Sequence, residues 1–279
     1  MRKEVLFVLE FIKKELLKIG IDTVGALSPD TYTVTRAYKL KKCGFDENDK
    51  MSAVIFAIPY YTEHEEKNIS SYAIPRDYHL FCRELFSNLL PKLKAEFPEY
   101  KFAGFADDSP IDEREAAAKA GLGIIGENGL IITEKYSSYV FFAEIITNYP
   151  IEAQEYEIKR CEGCGLCKKA CPQSEIGECL SDLTQKKGDL TEKESDIIKK
   201  YGCAWGCDLC QESCPHTKKA KIKGTIYTEI EFFKSDLTPI LTTDLIHGMS
   251  DEEFSARAYS WRKKETILRN LSTMEKQER

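Results

Sequence analysis

No stretch of this chain approaches the length and apolarity of a membrane span. The opening segment carries Glu10, Lys13, Lys14 and Glu15, where a signal peptide would need an unbroken apolar run. Positive charge is also in deficit. Forty lysines and arginines against 46 aspartates and glutamates leave a net charge of -6, which argues against general affinity for polyanions. A local basic patch stays open. No internal repeat is present beyond two cysteine runs. These absences leave a cytoplasmic globular protein as the expectation. Its 279 residues allow one large or two modest domains, and a hydrophobic content of 42% suffices for a packed core.

What the chain does have is eleven cysteines, seven of them in two spaced runs. Cys161-x2-Cys164-x2-Cys167-x3-Cys171-Pro172 is the spacing by which bacterial ferredoxins hold cubane iron-sulfur clusters, and Cys207-x2-Cys210-x3-Cys214-Pro215 follows it. Three thiols two residues apart wrap one face of a cluster, and the fourth points to another cluster. Cys161, Cys164 and Cys167 would thus share a cluster with Cys214, while Cys171 would cross to join Cys207 and Cys210. That second set lacks a ligand, because Ala204 stands where a full run would place cysteine. Cys179 and Cys203 both compete for the vacancy, and spacing does not choose between them.

Zinc knuckles and a disulfide framework are the competing readings. Disulfides fit poorly without a sign of export. Structural zinc favours paired Cys-x2-Cys units or mixed cysteine and histidine, not a triple run closing in Cys-Pro. Two [4Fe-4S] clusters are therefore expected, with Cys43 and Cys82 as ordinary buried thiols.

Hydrophobic periodicity predicts a helix over 4–19, with Val5, Leu9, Ile12, Leu16 and Ile19 on one face and Gly20 as its stop. Strands are expected over 22–27, 52–59, 101–106 and 139–147, the second and last being apolar and β-branched. A helix over 77–97 should break or kink at Pro91. An alanine-rich helix over 113–120 ends at Gly121. The charged stretch 186–200 reads as solvated, and the tail as helical, with Ser250 and Glu253 forming a capping box. The fold class is α+β, divided into units 1–155, 156–223 and 224–279.

Several stretches resemble the epoxyqueuosine reductases, cobalamin and iron-sulfur enzymes that finish the queuosine modification of tRNA. They are Ser71-Tyr72-Ala73 with Arg76-Asp77-Tyr78-His79, the run Asp107 to Arg114, the segments 120–133 and 136–148, and both cysteine runs. Trp261-Arg262 and Arg269-Asn270 are similar to signatures of the same family. The resemblance implies a nitroreductase-like cobalamin-binding domain, then a ferredoxin-like domain with two [4Fe-4S] clusters, then a short helical tail. It favours Cys179 over Cys203, because Leu183-Thr184 follows Cys179 as a Leu-Thr pair does in the family.

The same resemblance implies roles for individual residues. Asp107 becomes the proton donor and a cofactor neighbour, with Asp108 as its rival, and apolar Phe105 and Ala106 lead to the expectation of a carboxyl raised by burial. Tyr72, Asn128 and Ser138 become corrinoid contacts, and Arg76, Tyr78 and His79 substrate contacts. His79 is not expected as an axial cobalt ligand. Without the resemblance, an Asp-Asp-Ser-Pro segment reads as a solvated turn, and the group at 72–79 as helix capping.

Expected partners are a queuosine tRNA and a low-potential donor such as ferredoxin or flavodoxin, with a monomeric, membrane-free chain. Lys218, Lys219, Lys221, Lys223, Arg262, Lys263, Lys264 and Arg269 are candidate RNA contacts, although such runs are usually solvated faces. Three departures from the family weaken the substrate assignment. Glu127 replaces a lysine, the basic and proline-rich lead is missing from 28–50, and only the start of a helical-repeat extension is present. A corrinoid reductase of another small substrate, resembling a reductive dehalogenase, and a ferredoxin-type electron carrier are the alternative functions.

Overall fold

Short apolar runs rich in β-branched residues build the sheet. The structure, a computed structural model, describes residues 2–46 and 48–275. Strands β1 (Thr23–Leu27), β2 (Ser52–Pro59), β3 (Phe102–Phe105) and β6 (Val140–Thr147) form one sheet in the order β1-β2-β6-β3, every pair antiparallel. A two-residue ribbon, β4 (Ile124–Ile125) with β5 (Ile131–Ile132), stands apart. Every residue of β2 is buried, because side chains alternate between two cores. Val54, Phe56, Ile58, Ala143 and Ile145 feed the first core, beside α1 (Arg2–Leu17) and, after the short α2 (Ala37–Lys42), α3 (Tyr78–Glu96). Ala53, Ile55, Ala57 and Ile146 feed the second, against Ala116, Ala117 and Ala118 of α4 (Glu113–Lys119).

Two helical expectations are corrected. Ile12 and Leu16 are buried as read, but α1 ends at Leu17 and Ile19 is 38% exposed, because the chain reverses at Gly20 with φ +88°. The side chain of Val5 lies outside the described residues. Pro91 does not break α3, which runs from Tyr78 to Glu96. Proline removes one amide bond of the ladder, while Leu85, Leu89 and Leu93 on either side stay anchored in the core.

After β6 the chain has little regular structure until a series of short helices. These are α5 (Leu166–Ala170), α6 (Gln173–Ile176), α7 (Leu180–Thr184), α8 (Glu192–Tyr201), α9 (Leu209–Glu212) and α10 (Pro215–Lys223). The run 186–200 is not wholly solvated, since α8 buries Ile197 and Ile198 against Leu180 and Leu183. Ile226, Ile230 and Phe233, the last on α11 (Glu231–Lys234), then return to the first core. Helices α12 (Thr243–Gly248), α13 (Asp251–Ser255) and α14 (Lys263–Glu275) pack a further core around Trp205, Tyr259, Ile69 and Ile74. The Ser250–Glu253 capping box is present. An antiparallel sheet with helices on both faces makes the fold α+β. Among the described residues, no helix is long and apolar enough to cross a membrane.

Candidate functional site

Cys161, Cys164, Cys167 and Cys214 line one cavity of about 70 Å³, joined by Glu127, Asn128 and His216. Gly163 and Gly165 sit at φ +67° and +75°, so the loop can turn tightly between its thiols. The Glu127 amide donates to Cys161 Sγ at 3.3 Å. Glu127 has its charge matched by Lys168 at 2.5 Å.

Cys171, Cys179, Cys207 and Cys210 act on one another electrostatically as a second gathering, and Cys207 acts on Cys203 as well. Burial pushes the Cys207 thiol up to about 12, and Asp208, Cys210 and Cys179 push the same way. Burial likewise raises Cys210, with Cys171 and Cys179 acting in the same direction. Cys203 stands differently. Its thiol donates to the carbonyls of Gly206 at 2.9 Å and Trp205 at 3.6 Å, and burial raises it to about 12. A thiolate there would lose both contacts. All eleven cysteines are free of disulfides.

One acidic residue ties this segment to the sheet half. Asp208 is 5% exposed and accepts from Lys67 Nζ at 2.6 Å, the Ser71 amide at 2.7 Å, the Ser70 hydroxyl and Gln211 Nε2 at 3.2 Å. Ser138 donates to Gln211 Oε1 at 2.9 Å, and the Asn128 side chain bonds Cys210. Asn128 and Ser138 thus face the cysteine segment. Gly206 permits the close approach, since a Cβ there would lie 2.6 Å from Ser70 Cβ and 2.9 Å from Tyr72 Cε1.

The 70–79 segment leads into α3. Asp77 caps the helix by accepting from the His79 amide at 2.9 Å, and its Oδ1 also meets His79 Nδ1 at 2.8 Å. Tyr78 stacks on Phe141 with centroids 3.9 Å apart, and the Arg76 guanidinium lies over the Phe232 ring at 4.5 Å. Across from them His79 Nε2 pairs with Asp107 Oδ2 at 3.7 Å, an ion-pair distance. Asp107 and then Asp77 raise the His79 imidazole to about 9.

This overturns the expectation of a raised Asp107. Its side chain is 69% exposed, and His79 foremost, then Arg36 and Lys39, hold the carboxyl below its usual range. The apolar flank of Phe105 and Ala106 ends before the turn. At neutral pH the proton therefore rests on His79. Asp108 is committed to Arg36 at 2.7 Å and to Lys39. Burial raises two other carboxyls instead: Glu113, to about 7, and Glu144, well above its ordinary range. Neither was singled out from the sequence, although Glu144 is the one charge in the strand-like run 139–147. Asp208 was likewise overlooked between two cysteines of the second run.

Among the basic candidates, Lys218, Lys219 and Lys223 are exposed on α10. Lys264 and Arg269 are occupied. Lys264 donates to the Met249 carbonyl at 2.8 Å, and Arg269 to the carbonyls of Lys186 at 2.7 Å and Gly188.

Tyr139 Oη is buried without a hydrogen-bond partner, and so is Arg76 Nε, whose ion-pair partner Asp236 stands 4.0 Å away. Such atoms in the segments bordering His79 and the second cysteine gathering suit the binding of a further polar group.

Two thiol gatherings and an imidazole–carboxylate pair on an α+β scaffold suit an oxidoreductase, and the relatives place the chain in that class. Residues 48–108 match the family model described as "Epoxyqueuosine reductase QueG, DUF1730". The chain is 32% identical over 216 residues to the epoxyqueuosine reductase of Gloeobacter violaceus, covering 73% of this chain and 68% of that one. It is also 32% identical over 291 residues to that of Bacillus cereus, covering 90% and 76%. Among solved structures it is similar to an epoxyqueuosine reductase with a tRNA-Tyr epoxyqueuosine-modified tRNA stem loop. That match has a TM-score of 0.74 and 25% identity, and covers 97% of this chain and 81% of the other. The chain belongs to the epoxyqueuosine reductase family.

Proposed function

We propose that this chain reduces the epoxide of epoxyqueuosine in tRNA to the alkene of queuosine. Family membership supports the reaction, and the His79–Asp107 pair is the observation that carries it for these residues. Two electrons and two protons enter, both carbon–oxygen bonds of the epoxide break, and the oxygen leaves as water. No side chain can supply those electrons.

Cys161, Cys164, Cys167 and Cys214 are assigned to one [4Fe-4S] cluster, and Cys171, Cys179, Cys207 and Cys210 to the second. The fit rests on the donors: four thiols line a space instead of converging on a point. Among the described residues, no three cysteine, histidine, aspartate or glutamate side chains are placed to hold a single metal ion. Tyr72 and Asp107 are assigned to the edge of a cobalamin site. When bound, the clusters supply single electrons and the corrinoid a strongly reducing centre for carbon–oxygen cleavage. In this reading 1–155 is a nitroreductase-like cobalamin domain, 156–223 a ferredoxin-like domain and 224–279 a helical tail. A cytoplasmic monomer drawing on ferredoxin or flavodoxin completes it.

The chain's own residues manage the proton. His79 Nε2 holds it at neutral pH, steadied by Asp77 Oδ1 on the opposite ring nitrogen. His79 Nε2 and Asp107 Oδ2 stand 3.7 Å apart, and closing to hydrogen-bond distance in the substrate complex would let the proton pass to Asp107, an acid on the exposed turn beside the departing oxygen. Arg76 and Tyr78, at the start of the same helix, are assigned to the substrate. Anaerobic incubation with cobalamin, a low-potential reductant and epoxyqueuosine-containing tRNA, followed by mass analysis of nucleosides, should show queuosine. Corrinoid uptake without queuosine would point to another substrate, and no corrinoid uptake would point to an electron carrier.

A further inference from the structure

The turn that carries Asp107 is fastened by two carboxylates that the proton chemistry above does not use. Asp107 adopts φ +61°, a left-handed conformation that aspartate tolerates more readily than most residues do. Its amide donates to Glu113 Oε1 at 2.8 Å. Glu113 opens α4, and Asp112 fixes that helix start by accepting from the amides of Arg114 at 3.0 Å and Glu115 at 3.1 Å.

The far side of the turn is tied to the sheet. Ser109 donates its hydroxyl to Glu144 Oε1 and accepts from the Ile111 amide at 3.1 Å. Glu144 is fully buried on β6, opposite Ile55 and Phe105, and its carboxyl meets that of Glu113. Burial raises both Glu113 and Glu144, and the neighbouring Glu113 carboxyl raises Glu144 further, so the pair retains a proton between them. On the outer surface, Arg36 and Lys39 hold Asp108, and the amides of Thr35 and Arg36 hold the Pro110 carbonyl. Those outer ties hold the neighbours of Asp107, whereas Glu113 takes the amide of Asp107 itself.

We propose that Glu113 is a positioning residue whose carboxyl oxygen holds Asp107 in its left-handed turn toward His79, with Ser109 and Glu144 anchoring that turn to the sheet. The inference rests on the reading of Asp107 as the group that delivers the proton. What the arrangement needs from Glu113 is a lone pair at the right reach, which ionised, protonated and amide side chains all provide. Charge is not the requirement.

Three variants of the full, cluster-loaded chain separate these possibilities. Glu113→Ala should lower kcat on the order of 10- to 100-fold, as expected for a displaced reacting group, with KM for tRNA changed less than about twofold. Amide exchange across 105–112 should rise with it. Glu113→Gln, which keeps the acceptor, should restore both readings. Glu113→Asp keeps the charge but shortens the reach, so it should behave like Glu113→Ala and serves if the alanine variant does not fold. Glu113→Gln as impaired as Glu113→Ala would overturn the proposal by making Glu113 a proton donor. Wild-type kcat and exchange in Glu113→Ala or Glu113→Asp would remove the role altogether. If the wild type forms no queuosine, the functional reading fails, and the exchange comparison still decides the positioning claim.

Discussion

Around the sheet, Val54, Phe56, Ile58 and Ile145 pack one core and Ile55, Ala57 and Ile146 another, so β2 and β6 are covered on both faces. Around the second cysteine run, the local core consists of Leu180, Leu183, Ile197 and Ile198. Four side chains are few against an ordering cost of about 1–2 kcal/mol per residue. The sheet half is specified by apolar burial, and in the proposed reading the cysteine half is cross-linked by its two clusters. Asp208 and Gly206 join the two, the first by hydrogen bonds and the second by having no side chain.

The largest effect should come from breaking that difference directly. Chelating the iron without oxygen should abolish turnover and raise amide exchange across 156–223, while β2 and β6 stay protected. Equal loss of protection in both halves would break the comparison. On the sheet side, Asp107→Asn should lower turnover on the order of 10²- to 10⁴-fold with iron content unchanged, as metal analysis and single-turnover kinetics would show.

Acidity sharpens the same division. His79 is raised to about 9, so its imidazolium persists below that pH and is lost as pH rises through it. The rate should be level from about pH 7 to 8 and fall above about 9, a limb that His79→Gln should remove. At the junction, Gly206→Ala forces a Cβ to 2.6 Å from Ser70 Cβ at φ +70°. It should cost about 1–3 kcal/mol in thermal unfolding, the smallest effect of the series.

The two halves also differ in how legible they were. Strand β2 was readable over 52–59 because eight successive residues suit a strand buried on both faces. The helix over 113–119 was legible from its alanines and its following glycine. Helix α8 was hidden because charge dominates 186–200, and only Ile197 and Ile198 mark its buried side. The two-residue strands β4 and β5 are too short for any period to register.

Spacing brought seven ligand cysteines into view, but it could not choose between Cys179 and Cys203 for the eighth. The structure adds that the Cys203 thiol faces the carbonyls of Trp205 and Gly206, which supports the proposed assignment of Cys179. Asp107 illustrates the opposite failure. Neighbours in sequence suggested burial, whereas neighbours in space, His79, Arg36 and Lys39, fix its charge.

Iron and sulfide counting on anaerobically purified chain tests the central claim most directly, with Cys179→Ala and Cys203→Ala measured beside the wild type. The account predicts about eight irons and eight sulfides per wild-type chain, about half of each in Cys179→Ala, and the full number in Cys203→Ala. Zinc in place of iron, or iron lost from Cys203→Ala but not from Cys179→Ala, would contradict it.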